Sequence, residues 1–85
     1  MRLDKFLKVS RLIKRRTLAK DVCDQGRVAI NGQTAKASSN VAIGDEVTIH
    51  FGQKQVTVRV ENIQEVSRKD DAAKMYALLQ EKRVD

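Results

Sequence analysis

Several kinds of chemistry are excluded by what this chain leaves out. It has no proline and no tryptophan, and cysteine and histidine occur once each, as Cys23 and His50. A single cysteine forms no internal disulfide, and one Cys with one His makes no zinc site. Phe6, Phe51 and Tyr76 are the only aromatic residues, too few for a platform on which rows of bases stack. No apolar run approaches the roughly 18 residues of a membrane-spanning helix. Charges at Arg2, Asp4, Lys5 and Lys8 do not fit a secretory signal peptide. There is no phosphate-binding loop and no dinucleotide fingerprint. Asp45 and Glu46 follow a glycine in turn-like sequence, and His50 has no evident partner. A nucleophile, a base and an orienting group never occur together, so neither catalysis nor a cofactor is expected. A cytoplasmic location is expected from the same absences.

What is present is a short chain with its charge at one end. Its 85 residues suffice for one domain, and no linker or low-complexity run divides them. A domain of this size buries a compact core, here mostly Leu, Ile and Val. Residues 1–20 carry eight bases (Arg2, Lys5, Lys8, Arg11, Lys14, Arg15, Arg16 and Lys20) against the single acid Asp4, a net charge of +7. The remaining 65 residues carry nine bases and ten acids, a net charge of −1. A nearly neutral body with one strongly positive end attracts polyanions, and the attraction weakens with salt.

Periodicity predicts the elements. Leu3, Phe6 and Leu7 share one face of a short helix over Arg2 to Val9, which Ser10 interrupts. A second helix runs from about Ile13 or Thr17 to Gln25, with Leu18, Ala19, Val22 and Cys23 as its buried stripe and Gly26 just past its end. The period then becomes two. Val28 and Ile30 alternate with polar neighbours, and Asn31-Gly32 is a strong hairpin signal because both residues tolerate positive φ. Gln33 to Lys36 returns antiparallel, residues 37–41 form a loop, and Gly44-Asp45 makes a turn. Val47, Ile49 and Phe51, then Val56, Val58 and Val60, mark two further strands. Ser67, Asp70 or Asp71 would cap a third helix carrying Ala72, Met75, Tyr76 and Leu79 on its buried face and Lys82 and Arg83 in its last turn. The expected class is therefore α+β: two short helices packed on a small antiparallel sheet, then a C-terminal helix over residues 67–85 that packs on a domain of residues 1–66.

The basic stretch is the one candidate site. Lys8, Arg11, Lys14, Arg15, Arg16 and Lys20 fall within thirteen residues that hold no acid. Like charges one helical turn apart repel, and a bound polyanion offsets that cost. Arginine suits phosphate because its planar fork gives two parallel hydrogen bonds. Nucleic acid is the leading partner. A basic surface with no dedicated partner and an anionic membrane remain alternatives, the membrane weakened by the lack of a free apolar face. For Gly26, Asn31 and Gly32 a turn role is expected, while Arg27 and Lys36 could add phosphate contacts at the edge.

The ordered set Arg2-Leu3-Asp4-Lys5-Phe6-Leu7, Ser10 through Lys20, Gly26-Arg27-Val28, Asn31-Gly32, Lys36 and Gly44 through Val47 closely resembles the RNA-binding domain named after small-subunit ribosomal protein S-four. Among stand-alone members it is similar to the ribosome-associated heat-shock protein of about fifteen kilodaltons, and more so to the RqcP-like family of short bacterial ribosome-associated quality-control factors. That resemblance implies binding to obstructed large ribosomal subunits through rRNA and P-site peptidyl-tRNA. It also implies action beside a NEMF-family factor that adds alanine tails to stalled chains. Independently of the resemblance, the residues lead to the expectation of no metal, no cofactor and no membrane, and a monomer is expected. Carried over by position, the resemblance assigns RNA contact to Arg2, Arg11, Arg15 and Arg16. Lys5, Lys8, Lys14 and Lys20 surround them, with Arg27 and Lys36 at the rim. Leu3, Phe6, Leu7, Leu18, Val22 and Val28 are assigned to the core. Asp4 is expected near a helix N-terminus or paired with a local arginine. A heat-shock-type binder without a tailing role, and a protein-interaction adaptor using the C-terminal apolar stripe, are the alternatives.

Overall fold

The computed structural model describes residues 1–65 and 68–83. Helix α1 spans Leu3–Val9 and α2 spans Arg16–Asp24. The strands are β1 (Val28–Ile30), β2 (Gln33–Thr34), β3 (Glu46–Phe51) and β4 (Lys54–Val60). A four-residue helix, α3 (Lys69–Ala72), precedes β5 (Tyr76–Arg83). All strand pairs are antiparallel, in the order β2-β1-β3-β4-β5. The class is α+β, as expected.

Alternation decides which face of the sheet is dry. Val28, Val47, Ile49, Val56, Val58 and Val60 are buried, and they form one core with Leu3, Phe6 and Leu7 of α1 and Ala19 and Cys23 of α2. On the other face Thr48 and Thr57 pair across β3 and β4, their hydroxyls 3.1 Å apart. The two-residue Asn31-Gly32 turn has φ of 51° and 85°, both left-handed, which matches strand twist and sets the pairing of Ile30 with Gln33.

Helix α1 has no side-chain cap at its start. Its first amides are satisfied instead by a loop far along the chain: Leu3 N donates to Ser39 O at 2.7 Å and Asp4 N to Ala37 O at 3.2 Å. An isolated bridge between Arg2 and Asn40 completes this seam. At the other end Ser10 is buried, its hydroxyl donating to Leu7 O at 3.3 Å. Arg11 then takes a φ of 64°, and its amide donates to Lys8 O at 3.0 Å. The helix thus closes through a left-handed residue, as helices often do, but with arginine where glycine is usual.

Among the described residues the C-terminal helix expected over 67–85 is not formed. Helix α3 stops at Ala72, and Tyr76 to Arg83 lies as a strand along β4. Lys82 and Arg83 face Gln55 and Lys54 rather than closing a helix. The residues of β5 are good helix formers, but β4 would otherwise be an edge with one whole row of unpaired backbone groups, and tertiary pairing overrides so weak a preference. Met75 is fully buried, and its carbonyl accepts from the amides of both Glu61 and Asn62, which fixes the entry to β5. The proposed cap Ser67 lies outside the described residues. Two further expectations need correction. Helix α2 begins at Arg16, beside the later of the two expected starts, Thr17, and not at Ile13, and Leu18 is half-exposed rather than core. The buried stripe of this short helix is narrow, centred on Ala19 and Cys23, and leaves Leu18 on its shoulder.

Candidate nucleic-acid interface

The acid in the basic segment organises the site. Asp4 sits in the first turn of α1 and is almost wholly buried. Its Oδ1 and Oδ2 accept from Arg2 Nε at 3.2 Å and Arg2 Nη2 at 3.3 Å. Oδ1 also accepts from Arg16 Nη2 at 3.5 Å. Two guanidinium groups from different elements therefore meet on one carboxylate. Their side chains remain 48% and 49% exposed, so each keeps donors free for solvent or a ligand. One carboxylate cannot neutralise two cations, and positive charge remains at this point.

The site also works against its own helix. Arg15 is the N-cap of α2 and Arg16 its first residue, and the first turn of α2 holds no acid. Cations at a helix N-terminus oppose the macrodipole by roughly 0.3–1 kcal/mol each at exposed positions. Asp4, reaching over from α1, supplies the negative charge that the first turn of α2 lacks.

The other predicted residues divide into groups. Lys20 lies one turn beyond Arg16 on the same side of α2. The loop bearing Lys36 is bonded to the start of α1 and so borders Arg2. Lys8 lies in the last turn of α1, and Arg11, Lys14 and Arg15 occupy the connection to α2, all four exposed. Arg27 lies just before β1, where its carbonyl accepts from His50 N at 2.9 Å. It borders the same groove as Lys14. Lys5 is committed: its ammonium pairs with Glu65 and holds that carboxyl below the usual carboxylate range. Among the described residues no ion pair engages Lys8, Arg11, Lys14, Arg15, Lys20, Arg27 or Lys36. The described residues hold no cluster of His, Cys, Asp and Glu suited to a metal. None of their helices is long and apolar enough to cross a membrane.

Sequence reasoning foresaw an arginine partner for Asp4, but not that it would gather two. It also missed an apolar groove bordered by Leu18, Phe51 and His50. The available signal was the narrowness of the α2 stripe, which cannot bury both Leu18 and Cys23.

The S4 domain family model matches residues 1–47. The RQC P-site tRNA stabilizing factor of Bacillus subtilis (strain 168) is 63% identical over 84 residues, covering 99% of this chain and 98% of that protein. The factor of the same name from Listeria innocua is 56% identical over 85 residues, covering 100% of this chain and 92% of that protein. Among solved structures, the trimeric structure of Vibrio cholerae Heat Shock Protein 15 superposes with a TM-score of 0.86 at 36% identity, over 93% of this chain and 81% of that one.

Proposed function

The chain belongs to the S4 domain family, and from that premise we propose that it is a non-catalytic RNA-binding factor of ribosome-associated quality control. In this reading it binds obstructed large ribosomal subunits, grips rRNA and peptidyl-tRNA in the P site, and steadies that tRNA while a NEMF-family partner adds the alanine tail. The names of its relatives support the P-site tRNA as ligand. The observation that carries the reading is the pair Arg2 and Arg16, fixed on buried Asp4 with about half of each side chain open. A preset guanidinium loses less freedom on meeting a phosphate than a mobile one. Arg11, Lys14, Arg15 and Lys20, with Lys8, Arg27 and Lys36 at the borders, extend the contact, and Lys5 contributes only when released from Glu65.

Arg16→Ala and Arg2→Ala are expected to weaken co-sedimentation with large subunits by about tenfold each, since charge-assisted contacts contribute roughly 1.5–3 kcal/mol. Circular dichroism should be unchanged. Unaltered association in both variants refutes the site. The similarity to Heat Shock Protein 15 supports a second reading, a large-subunit binder with no part in tailing. Alanine tails that persist on stalled chains in a strain lacking the protein would select it. The protein is taken to act as a monomer, which light scattering tests against multiples of 9.6 kDa.

A further inference from the structure

Beside the cationic surface lies a groove of about 410 Å³ that the ionic reading leaves unused. Leu18, Val22 and Phe51 supply its apolar surface, and Lys14, Arg27 and His50 its polar border. Leu18 is 50% exposed, a large apolar side chain left in solvent two residues from each of Arg16 and Lys20. Phe51 and Val22 are half-buried, anchored on the core with one side open. Lys14 comes from the α1–α2 connection and Arg27 from the α2–β1 connection, so the two cations reach the groove from separate segments. Neither has a carboxylate partner among the described residues.

We propose that this groove receives one unpaired nucleobase of the bound RNA, stacked against Phe51 and Leu18, with its flanking phosphates on Lys14 and Arg27. The proposal rests on the RNA-binding reading above and names what that surface takes beyond phosphate. An unpaired nucleotide combines the two properties the groove matches, an apolar flat face and adjacent negative charge. RNA is commonly read through splayed bases laid on an aromatic ring, not through its helical grooves. An apolar protein segment would fill the floor but leave both cations without a counter-charge. Lys14 belongs both to this border and to the basic connection, so one strand can pass from one to the other without a break.

The test measures binding to deproteinised large-subunit rRNA and to tRNA, and in parallel to intact large subunits, across a salt series. Leu18→Ser replaces a half-exposed residue and should leave the fold intact. Phe51→Leu removes the ring while keeping most of the volume, should Leu18→Ser prove unstable. Each variant is expected to lose about tenfold in affinity for at least one deproteinised RNA, the scale of one lost base stack. The slope of log affinity against log salt should not change, because no ionic contact is removed. An unpaired base shielded from dimethyl sulfate by the wild-type protein should become reactive again with the variant. Affinity within twofold of wild type on both RNAs overturns the groove assignment. So does a loss confined to intact subunits, which would place a ribosomal protein in the groove. Arg16→Ala run alongside separates the two ideas: if it weakens binding while Leu18→Ser does not, the phosphate surface stands and the base site fails.

Discussion

Asp4 is the only acid among the first twenty residues, and the basic surface is assembled around it. Replacing it with a neutral residue would leave two half-solvated guanidinium groups free to wander, so its role is to hold them in place more than to balance their charge. Arg11 shows the opposite relation between stability and binding. Its left-handed φ of 64° costs a non-glycine residue roughly 1–2 kcal/mol. Arg11→Gly is expected to raise stability by about 1 kcal/mol, after the entropy of the freer unfolded chain is subtracted. It should also weaken RNA binding and lower the salt slope by about one. A melt and a salt titration read the two effects separately, and a variant that is neither stabilised nor weakened would remove Arg11 from the site. Cys23 is a third case. Burial first, then the charges of Asp4 and Asp24, push its thiol up from 9.0 to about 11. Because the folded value exceeds the unfolded one, this group's contribution to stability is full below pH 9 and is lost as pH rises towards 11. Iodoacetamide at pH 8 should therefore alkylate the native protein far more slowly than the urea-unfolded chain.

Among the elements, the hairpin of β1 and β2 is short and is held from outside. Asn31 Nδ2 donates to Asp45 Oδ1 at 3.1 Å, and Asn31 Oδ1 accepts from Glu46 N at 2.9 Å. The turn of one hairpin is thereby tied to the start of β3, whose preceding turn is closed by Asp45 accepting from Ala42 N at 2.8 Å. Asn31→Ala loses both side-chain bonds and places alanine at a φ of 51°, for an expected cost of about 2 kcal/mol. Asn31→Gly loses the bonds but keeps the conformation, so about 1 kcal/mol is expected. Equal losses from the two variants, measured by denaturant unfolding, would show that the backbone angle contributes nothing. At the far edge, β5 exposes Leu78 and Leu79 on an eight-residue strand. A bulge between Thr57 and Val58 leaves Leu79 opposite no residue of β4. That irregularity and the charges of Glu81, Lys82 and Arg83 are the usual means by which an open edge resists pairing with another chain.

The whole molecule is electrically lopsided. The excess charge sits in residues 1–20, in α1, the α1–α2 connection and the first half of α2, and β5 lies on the outer side of the sheet, four strand spacings or about 19 Å from β2. Such a body orients in the field of an RNA before it touches it. If about six of the exposed cations meet phosphates, log affinity should fall against log salt with a slope between about −4 and −5. A slope of about −1.5 would confine phosphate contact to the Asp4-centred pair of arginines and leave Lys8, Lys20 and Lys36 as solvated surface.

Local pattern was enough to place most of this architecture. A period of 3.6 in Leu3, Phe6 and Leu7, a period of two in Val47 to Val60, and an Asn-Gly turn that accepts positive φ are each written in a few neighbouring residues. The crowding of like charge before Lys20 is equally local, and it announced a polyanion surface without any knowledge of shape. Contacts between distant segments decided the rest. Residues 76–83 have a helical composition and became a strand because β4 offered a row of unpaired backbone groups, a fact about the sheet and not about those eight residues. The pairing of Arg2 with Arg16 depends on how closely α1 and α2 pack, and the groove at Leu18 on how little of α2 the core could cover. Backbone preference is a property of neighbours in sequence, whereas burial and shared counter-charges are properties of neighbours in space.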